Sequence, residues 1–388
     1  MHFALTDDQR AIQESVRSFL AKTAGLERLR AAIASPEGWD ADLWTSLAVE
    51  MGYAGLMVPE AYGGSGVGAV AMALVLEETG GRLTVAPFFE TAVLAVQTIL
   101  NAGTPRQKEA LLPAIADGTT KATMAITGLE GRPSPDGITA LLTRDGNGWL
   151  LNGEAGFVPF AHVADLLLVV ARAPETANGA GISLLALPAE SAGVVIERQP
   201  PLDLTRPFCR VRFQNVTVSD DLVLGEAGKA GPSLERALTI GAGLLAAEQT
   251  GGAAFCLATT VEYAQQRVQF GRKIGSFQAV KHTLADMMVA VEAARSAALY
   301  AAAAIDQGTP ELIEACSVAK SWCSDAYRLC AGEAIQLHGG IGFTWEHHAH
   351  LYFKRAWSSS TWLGDPAHHR ERVARLIGLT GASEGSTP

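Results

Sequence analysis

Through roughly the first 120 residues, apolar side chains return every three to four positions, in DDQRAIQESVRSFLAKT, in GAVAMALVLEETGG and in TPRQKEALLPAIADG, and that period predicts amphipathic helices. Thr6 stands where the first of these needs an N-cap, and paired glycines close the second. Near residue 121 the period changes. KATMAITG, GITALLTRDGNGWLLNG, ADLLLVVARA, GISLLALPA and RVRFQNVTV are short apolar or alternating runs parted by Gly, Pro, Asn and Asp, which predicts a β domain of hairpins. From about residue 226 helical spacing returns in three long segments that open with SLERALTIG, SFQAVKHTL and TPELIEACS. Each is apolar on several sides and must bury against other helices as a bundle. The expected organisation is α+β, with helices over residues 1–120, strands over 121–225 and a helical bundle over 226–388.

Composition narrows the class. A chain of 388 residues that is 48% hydrophobic can bury a large core and exceeds one compact domain. A net charge of −10 and a pI near 5.4 leave no concentrated basic surface for phosphates, which argues against a nucleic-acid partner. The start, MHFALTDDQR, carries acids early and reads as neither signal nor transit sequence. No apolar run is expected to span a bilayer, and the expected location is the cytoplasm. Of the five cysteines, Cys316, Cys323 and Cys330 repeat every seven residues, which places neighbours on one helix face roughly 10 Å apart, too far for a disulfide or a shared metal. These three, with Cys209 and Cys256, read as small buried apolar residues.

Two segments carry chemistry. YAQQRVQFGRKIGSFQAVKHTLADM, from Tyr263 to Met287, crowds Arg267, Gln269 and Phe270 at the end of one long helix and opens the next at Phe277 and Gln278. Arg267 offers forked donors to a phosphate and Phe270 offers a stacking face, needs that a dinucleotide meets; a helical hairpin with a solvated Arg is the plainer alternative. QLHGGIGFTWEHHAHLYFKRA, from Gln336 to Ala356, places Gly339, Gly340 and Gly342 where backbone can approach a ligand. His338, His347, His348 and His350 share that stretch without the Cys or carboxylate partners of a usual metal site, so no metal is expected.

Together these segments resemble the acyl-CoA dehydrogenases, flavoproteins that oxidise an acyl-CoA thioester to its trans-2-enoyl form. The resemblance runs nearly end to end and takes in LTDDQRAIQESVRSFL, GYAGLMVPEAYGGSG from Gly52 to Gly66, and the order helical, β, helical. It implies an N-terminal helical domain, a middle β-barrel and a C-terminal four-helix bundle, assembled as a dimer of dimers. In this family the Arg-x-x-Phe-Gly and Gln-x-x-Gly-Gly segments reach across the dimer interface to the neighbour's FAD. The resemblance thus assigns Arg267, Gln269, Phe270, Gln278, Gln336, Gly339 and Gly340 to FAD pyrophosphate and adenosine.

The rest of the family's pattern is missing. Where members carry Thr-Glu-Pro before a Gly-Ser-Asp stretch, this chain reads AITGLEGRPSPDG, with Gly128 and Leu129 in place of Glu and Pro. Where they carry Trp-Ile-Thr against the flavin, it has Phe157, Val158 and Pro159, and proline has neither hydroxyl nor N–H to give. The reaction needs a carboxylate to take the proton alpha to the thioester while hydride leaves for flavin N5. That base falls on Leu363, and the position used by a minority of members falls on Gly241. Glu235 lies on another helix face. Two carboxylates remain. Glu248, in GAGLLAAEQTGGAAF, is either a base tuned by apolar surroundings or a buried structural carboxyl, and Asp365 is expected to cap the helix PAHHRERVARLIG.

Three readings follow. The chain is a base-deficient partner in a hetero-oligomer, an arrangement known among actinobacterial enzymes for bulky steroid side-chain thioesters; or a self-sufficient homotetramer with Glu248 as base; or a scaffold that keeps only the fold. The first matches the kept cross-interface elements and the lost flavin-ring and base positions. The resemblance further implies an acyl-CoA substrate, a homologous acyl-CoA dehydrogenase subunit as partner and electron-transfer flavoprotein as electron acceptor.

Overall fold

The computed structural model describes residues 5–126, 128, 137–176 and 180–379. The chain divides into two compact units, one built from Ile12–Val75 and Leu83–Gly241, the other from Leu76–Arg82, the chain from Ala242 onward and the residues up to Ala11.

Helix α1 (Asp7–Thr23) opens on a reciprocal cap, in which Gln9 N donates to Thr6 Oγ1 at 3.2 Å and Thr6 N donates to Gln9 Oε1 at 3.0 Å. Helices α2 (Leu26–Ala34), α3 (Ala41–Trp44), α4 (Ala69–Gly81), α5 (Val96–Ala102) and α6 (Pro105–Ala116) follow, with π-helical turns at Thr45–Glu50 and Glu90–Ala95. In the first unit these helices are tied to a seven-stranded sheet of β1 (Ala122–Ala125), β2 (Leu141–Asp145), β3 (Gly148–Pro159), β4 (Leu166–Arg172), β5 (Ile182–Pro188), β6 (Val194–Arg198) and β7 (Phe208–Val218). The strand order is β1-β4-β2-β3-β7-β6, with β5 on β4. Thr91 makes one tie, its hydroxyl donating to Ala122 O at 2.9 Å and accepting from Ala122 N at 3.0 Å. The sheet is antiparallel except where β4 meets β1 and β2, and its core is the alternating set Leu142, Leu151, Leu167, Val169, Leu185, Leu187, Val211 and Phe213.

The second unit is the helical one. Helices α7 (Gly231–Gln266), α8 (Gln278–Gln307), α9 (Leu312–His338), α10 (Ala349–Thr361) and α11 (Pro366–Leu376) are joined by a small hairpin, β8 (Val268–Gln269) with β9 (Arg272–Lys273), between α7 and α8. Helix α9 is the centre of the bundle and packs on α8, α10 and α11. Its face towards α7 carries the expected buried cysteines: a Cβ on Gly243 would stand 2.6 Å from Cys316 Sγ, and Thr250 Oγ1 lies 3.5 Å from Cys323 Sγ. Helices α4 and α7 cross so closely that a Cβ on Gly80 would lie 2.0 Å from Glu248 O, which only glycine allows. One sequence expectation is corrected here. Helix α8, at 30 residues, is long and apolar enough to cross a bilayer by length and composition alone, although within the unit it packs on α9 and pairs Arg295 with Glu77 at 2.8 Å.

Candidate functional site

Seven expected nucleotide-binding residues lie in the second unit, at two chain breaks. The first break ends α7. Arg267 N still donates to Tyr263 O at 2.8 Å, and the chain then reverses through Phe270 (φ +52°) and Gly271 (φ +74°), the two left-handed central residues of a type I′ hairpin turn. The turn thrusts the Phe270 ring outward, 91% exposed, with its edge towards Phe277 at 6.2 Å. Arg267, Gln269 and Gln278 are exposed, and among the described residues their side chains take no hydrogen bond or ion pair. The second break ends α9, where Gln336 is exposed and Gly339 turns the chain at φ +64°. A Cβ on Gly339 or Gly340 would meet nothing within 4 Å, so the backbone there is open to a ligand. The breaks are joined by Tyr263, whose hydroxyl donates to His338 O at 3.3 Å. One guanidinium, three carboxamides, an aromatic face and an open glycine turn form a donor set that fits a nucleotide pyrophosphate with its base.

The flavin-ring positions, in the first unit, do not fit in the same way. The carbonyl of Pro159 is taken by Thr123 Oγ1 at 2.7 Å, and its nitrogen has no hydrogen to give. Phe157 sits at φ +52° with its ring edge on Phe208 at 6.3 Å. Gly128 is buried, and a Cβ there would come within 2.1 Å of Gly137 O, so a side chain such as Glu has no room. Leu129 lies outside the described residues.

At the positions where the resemblance implies a base the chain has Leu363 and Gly241. Leu363 is 8% exposed in a left-handed turn (φ +59°), clamped by two groups that the sequence reading passed over. His369 donates from Nε2 to Leu363 O at 2.9 Å, and Lys320 donates from Nζ to Gly364 O at 3.1 Å. The Lys320 ammonium is fully buried and also reaches Ser324 Oγ at 3.0 Å and the carbonyls of Ser359 and Ser360 at 3.1 Å, so it caps the C-terminus of α10. Burial pushes Lys320 down to about 7 and His369 down to about 3. A signal for Lys320 was present: it falls four residues after Cys316 and three before Cys323, on the buried face of α9. Asp365 caps α11 as expected, accepting from His368 N at 2.7 Å. Glu248 is not surrounded by apolar groups alone, because Arg355 Nη1 donates to its Oε1 at 2.8 Å and both side chains are buried.

The acyl-CoA dehydrogenase N-terminal, middle and C-terminal domains match residues 6–119, 123–216 and 232–378 respectively. The acyl-CoA dehydrogenase IpdE2 of Mycolicibacterium smegmatis is 32% identical over 373 residues, 96% of this chain and 98% of that protein. The chain belongs to the acyl-CoA dehydrogenase family. Among solved structures it is similar to a variant of the Tcur3481-Tcur3483 steroid ACAD, at 31% identity and a TM-score of 0.84 over 96% of this chain and 98% of that one. It is also similar to the ChsE4-ChsE5 complex from Mycobacterium tuberculosis, at 26% identity and a TM-score of 0.87 over 98% of this chain and 100% of that one. An acyl-CoA dehydrogenase is an FAD-dependent oxidoreductase of CH–CH bonds, with the flavin supplying the hydride acceptor. Arg267, Gln269, Phe270, Gln278, Gln336, Gly339 and Gly340 are the residues that would face the adenosine and pyrophosphate of an FAD if the sequence expectation holds.

Proposed function

We propose that the chain is the base-deficient subunit of a hetero-oligomeric acyl-CoA dehydrogenase. It lends Arg267, Phe270, Gln336 and the Gly339–Gly340 turn to an FAD whose flavin ring and catalytic carboxylate belong to a homologous partner subunit. The observation that carries this reading is the opposition within one chain of an open, unpaired nucleotide-binding edge and a base position occupied by Leu363. Glu248 is a poor substitute, since a general base must reach a substrate proton and its Oε1 is engaged by Arg355 in a buried pair. The two-component ChsE4-ChsE5 complex and the steroid ACAD among the similar structures support a partner chain and a bulky, steroid-derived acyl-CoA thioester. Electron-transfer flavoprotein is the proposed acceptor and the cytoplasm the proposed location. The test is to purify the chain alone and with a co-expressed homologous subunit and to record flavin absorbance and FAD stoichiometry each time. The expected outcome is little FAD on the chain alone and full loading on the assembly. A yellow, fully loaded and active homotetramer of this chain would overturn the reading.

A further inference from the structure

The glycine turn that would face FAD lies between two imidazoles that pack on each other at the ends of its loop. The loop between α9 and α10 starts after His338, the last residue of α9, and ends at His347 and His348, just before α10. The His338 and His347 rings are 4.4 Å apart, and His347 stacks on His348 at 4.3 Å with 22° between planes. The stack continues from His338 to Tyr263 on α7 at 4.4 Å. From His348 it continues edge-on to Phe255 at 5.7 Å, and Phe255 stacks on Tyr352 of α10 at 4.5 Å. Tyr352 in turn donates to Gly81 O at 2.8 Å. Of the loop's apolar side chains Phe343 is 71% exposed, while Trp345 packs on His350 at 4.6 Å and the turn is closed by Gly342 N–H to Gly339 O at 2.9 Å and Thr344 N–H to Ile341 O at 3.0 Å, so the rings at its two ends add to this hold where the loop meets α9 and α10.

His347 is tied to one protonation state. Ala349, the first residue of α10, donates its N–H to His347 Nδ1 at 3.2 Å. That nitrogen must therefore carry a lone pair, and the imidazole is neutral with its proton on Nε2. Protonating Nδ1 would set donor against donor, place a cation at the positive end of α10 and charge a ring packed between two other imidazoles. His338 is held neutral too, donating from Nδ1 to Ala334 O at 2.6 Å while burial lowers its affinity for a second proton. Among the described residues, the titratable and charged groups around the stack and its loop include Tyr263 on α7, His338 on α9, His348 beside it, Tyr352, His350 and Lys354 on α10, with His350 and Lys354 packed on Trp345 and Arg82 and Arg355 acting on Tyr352 at the far end.

We propose that His347, as neutral imidazole, is the positioning residue that holds the Gly339–Gly340 turn ready for the FAD pyrophosphate, and that protonating it releases the turn and the nucleotide. This rests on the assignment of that turn to FAD made above. The ring acts through the loop and not on the reacting atoms.

The test uses the assembled enzyme and, separately, the full chain without FAD. FAD retained after desalting is measured from about pH 7.5 to pH 5.5, and hydrogen exchange, corrected for intrinsic rates, is followed at the amides of Gly342, Thr344, His347 and Ala349. Wild type is expected to lose FAD progressively towards the acid end of that range and to lose protection at those amides in step. His347→Asn keeps an acceptor for Ala349 N–H and cannot be protonated, so it should hold both FAD and amide protection at acid pH. His347→Phe keeps the ring without the acceptor and should bind FAD more weakly at every pH, with no acid step. Identical pH profiles for wild type and His347→Asn would overturn the proposal. An assembly that binds no FAD at any pH would sink the FAD assignment instead, and the exchange arm, which needs neither FAD nor partner, would still decide the role of His347.

Discussion

Arg355 on α10 donates from Nη1 to Glu248 Oε1 on α7 at 2.8 Å, across 107 positions of sequence and with both side chains under a tenth exposed. The pair puts the surviving buried carboxylate of α7 to structural use. A guanidinium matched to a carboxylate in the interior fixes how two helices meet, and removal of either partner leaves an uncompensated charge.

Glu248→Gln should accordingly lower stability by about 3–5 kcal/mol, the usual cost of breaking a buried pair, while turnover of the assembled, flavin-loaded enzyme stays within a few-fold. Deleting a general base costs about 10²–10⁴ in rate. Rate, FAD content and melting temperature measured together separate the two, and a folded, flavin-loaded but inactive variant would make this chain a dehydrogenase in its own right.

Arg267→Ala should weaken FAD retention in the assembly. A charge-assisted bond to phosphate contributes about 1.5–3 kcal/mol, which corresponds to roughly a ten- to hundred-fold rise in the FAD dissociation constant. Unchanged flavin content would mean that the α7–α8 hairpin holds no nucleotide.

Lys320 gives stability a slope in alkaline solution. Burial depresses its pKa from 10.5 to about 7, so between those values the unfolded chain binds a proton that the folded chain does not. Stability should rise with pH by ~1.4 kcal/mol per unit through that window, and Lys320→Met should remove that component. Denaturant titrations of both proteins across the window check it; parallel curves would show that Lys320 stays protonated in its carbonyl cage.

His369 works on the acid side with the same sign. Burial lowers it from 6.5 to about 3, so as pH falls below 6.5 the unfolded chain takes up a proton that the folded chain refuses, and stability is lost. The expected loss is ~1.4 kcal/mol per pH unit. His369→Gln keeps a donor for Leu363 O and should flatten that component, read as the difference in unfolding free energy between the two proteins at each pH.

The elements, and the donors and open backbone at two helix ends, were legible because their signals are local. Period 3.6 marks α1 and α6, whereas α4 is apolar and buried nearly all round; short runs between turn residues mark the strands, and Arg267, Phe270 and Gly339 announce donors and open backbone at helix ends. That Leu363 cannot take a proton was legible too, wherever it lies.

What the sequence by itself determined was the family, the order of helices and strands, and which side chains have the chemistry to meet a dinucleotide. Only the tertiary structure decided how the remaining polar residues are used. It set Arg355 against Glu248, threaded the Lys320 ammonium among the carbonyls of Ser359, Ser360 and Gly364, and packed His338 against His347. Glu248 and Arg355, and Lys320 and its carbonyls, are far apart in sequence, while the two histidines bracket an irregular loop that no helical or strand period describes. A buried charge takes its role from its neighbours, and those neighbours are chosen by how α7, α9 and α10 pack and not by any spacing along the chain.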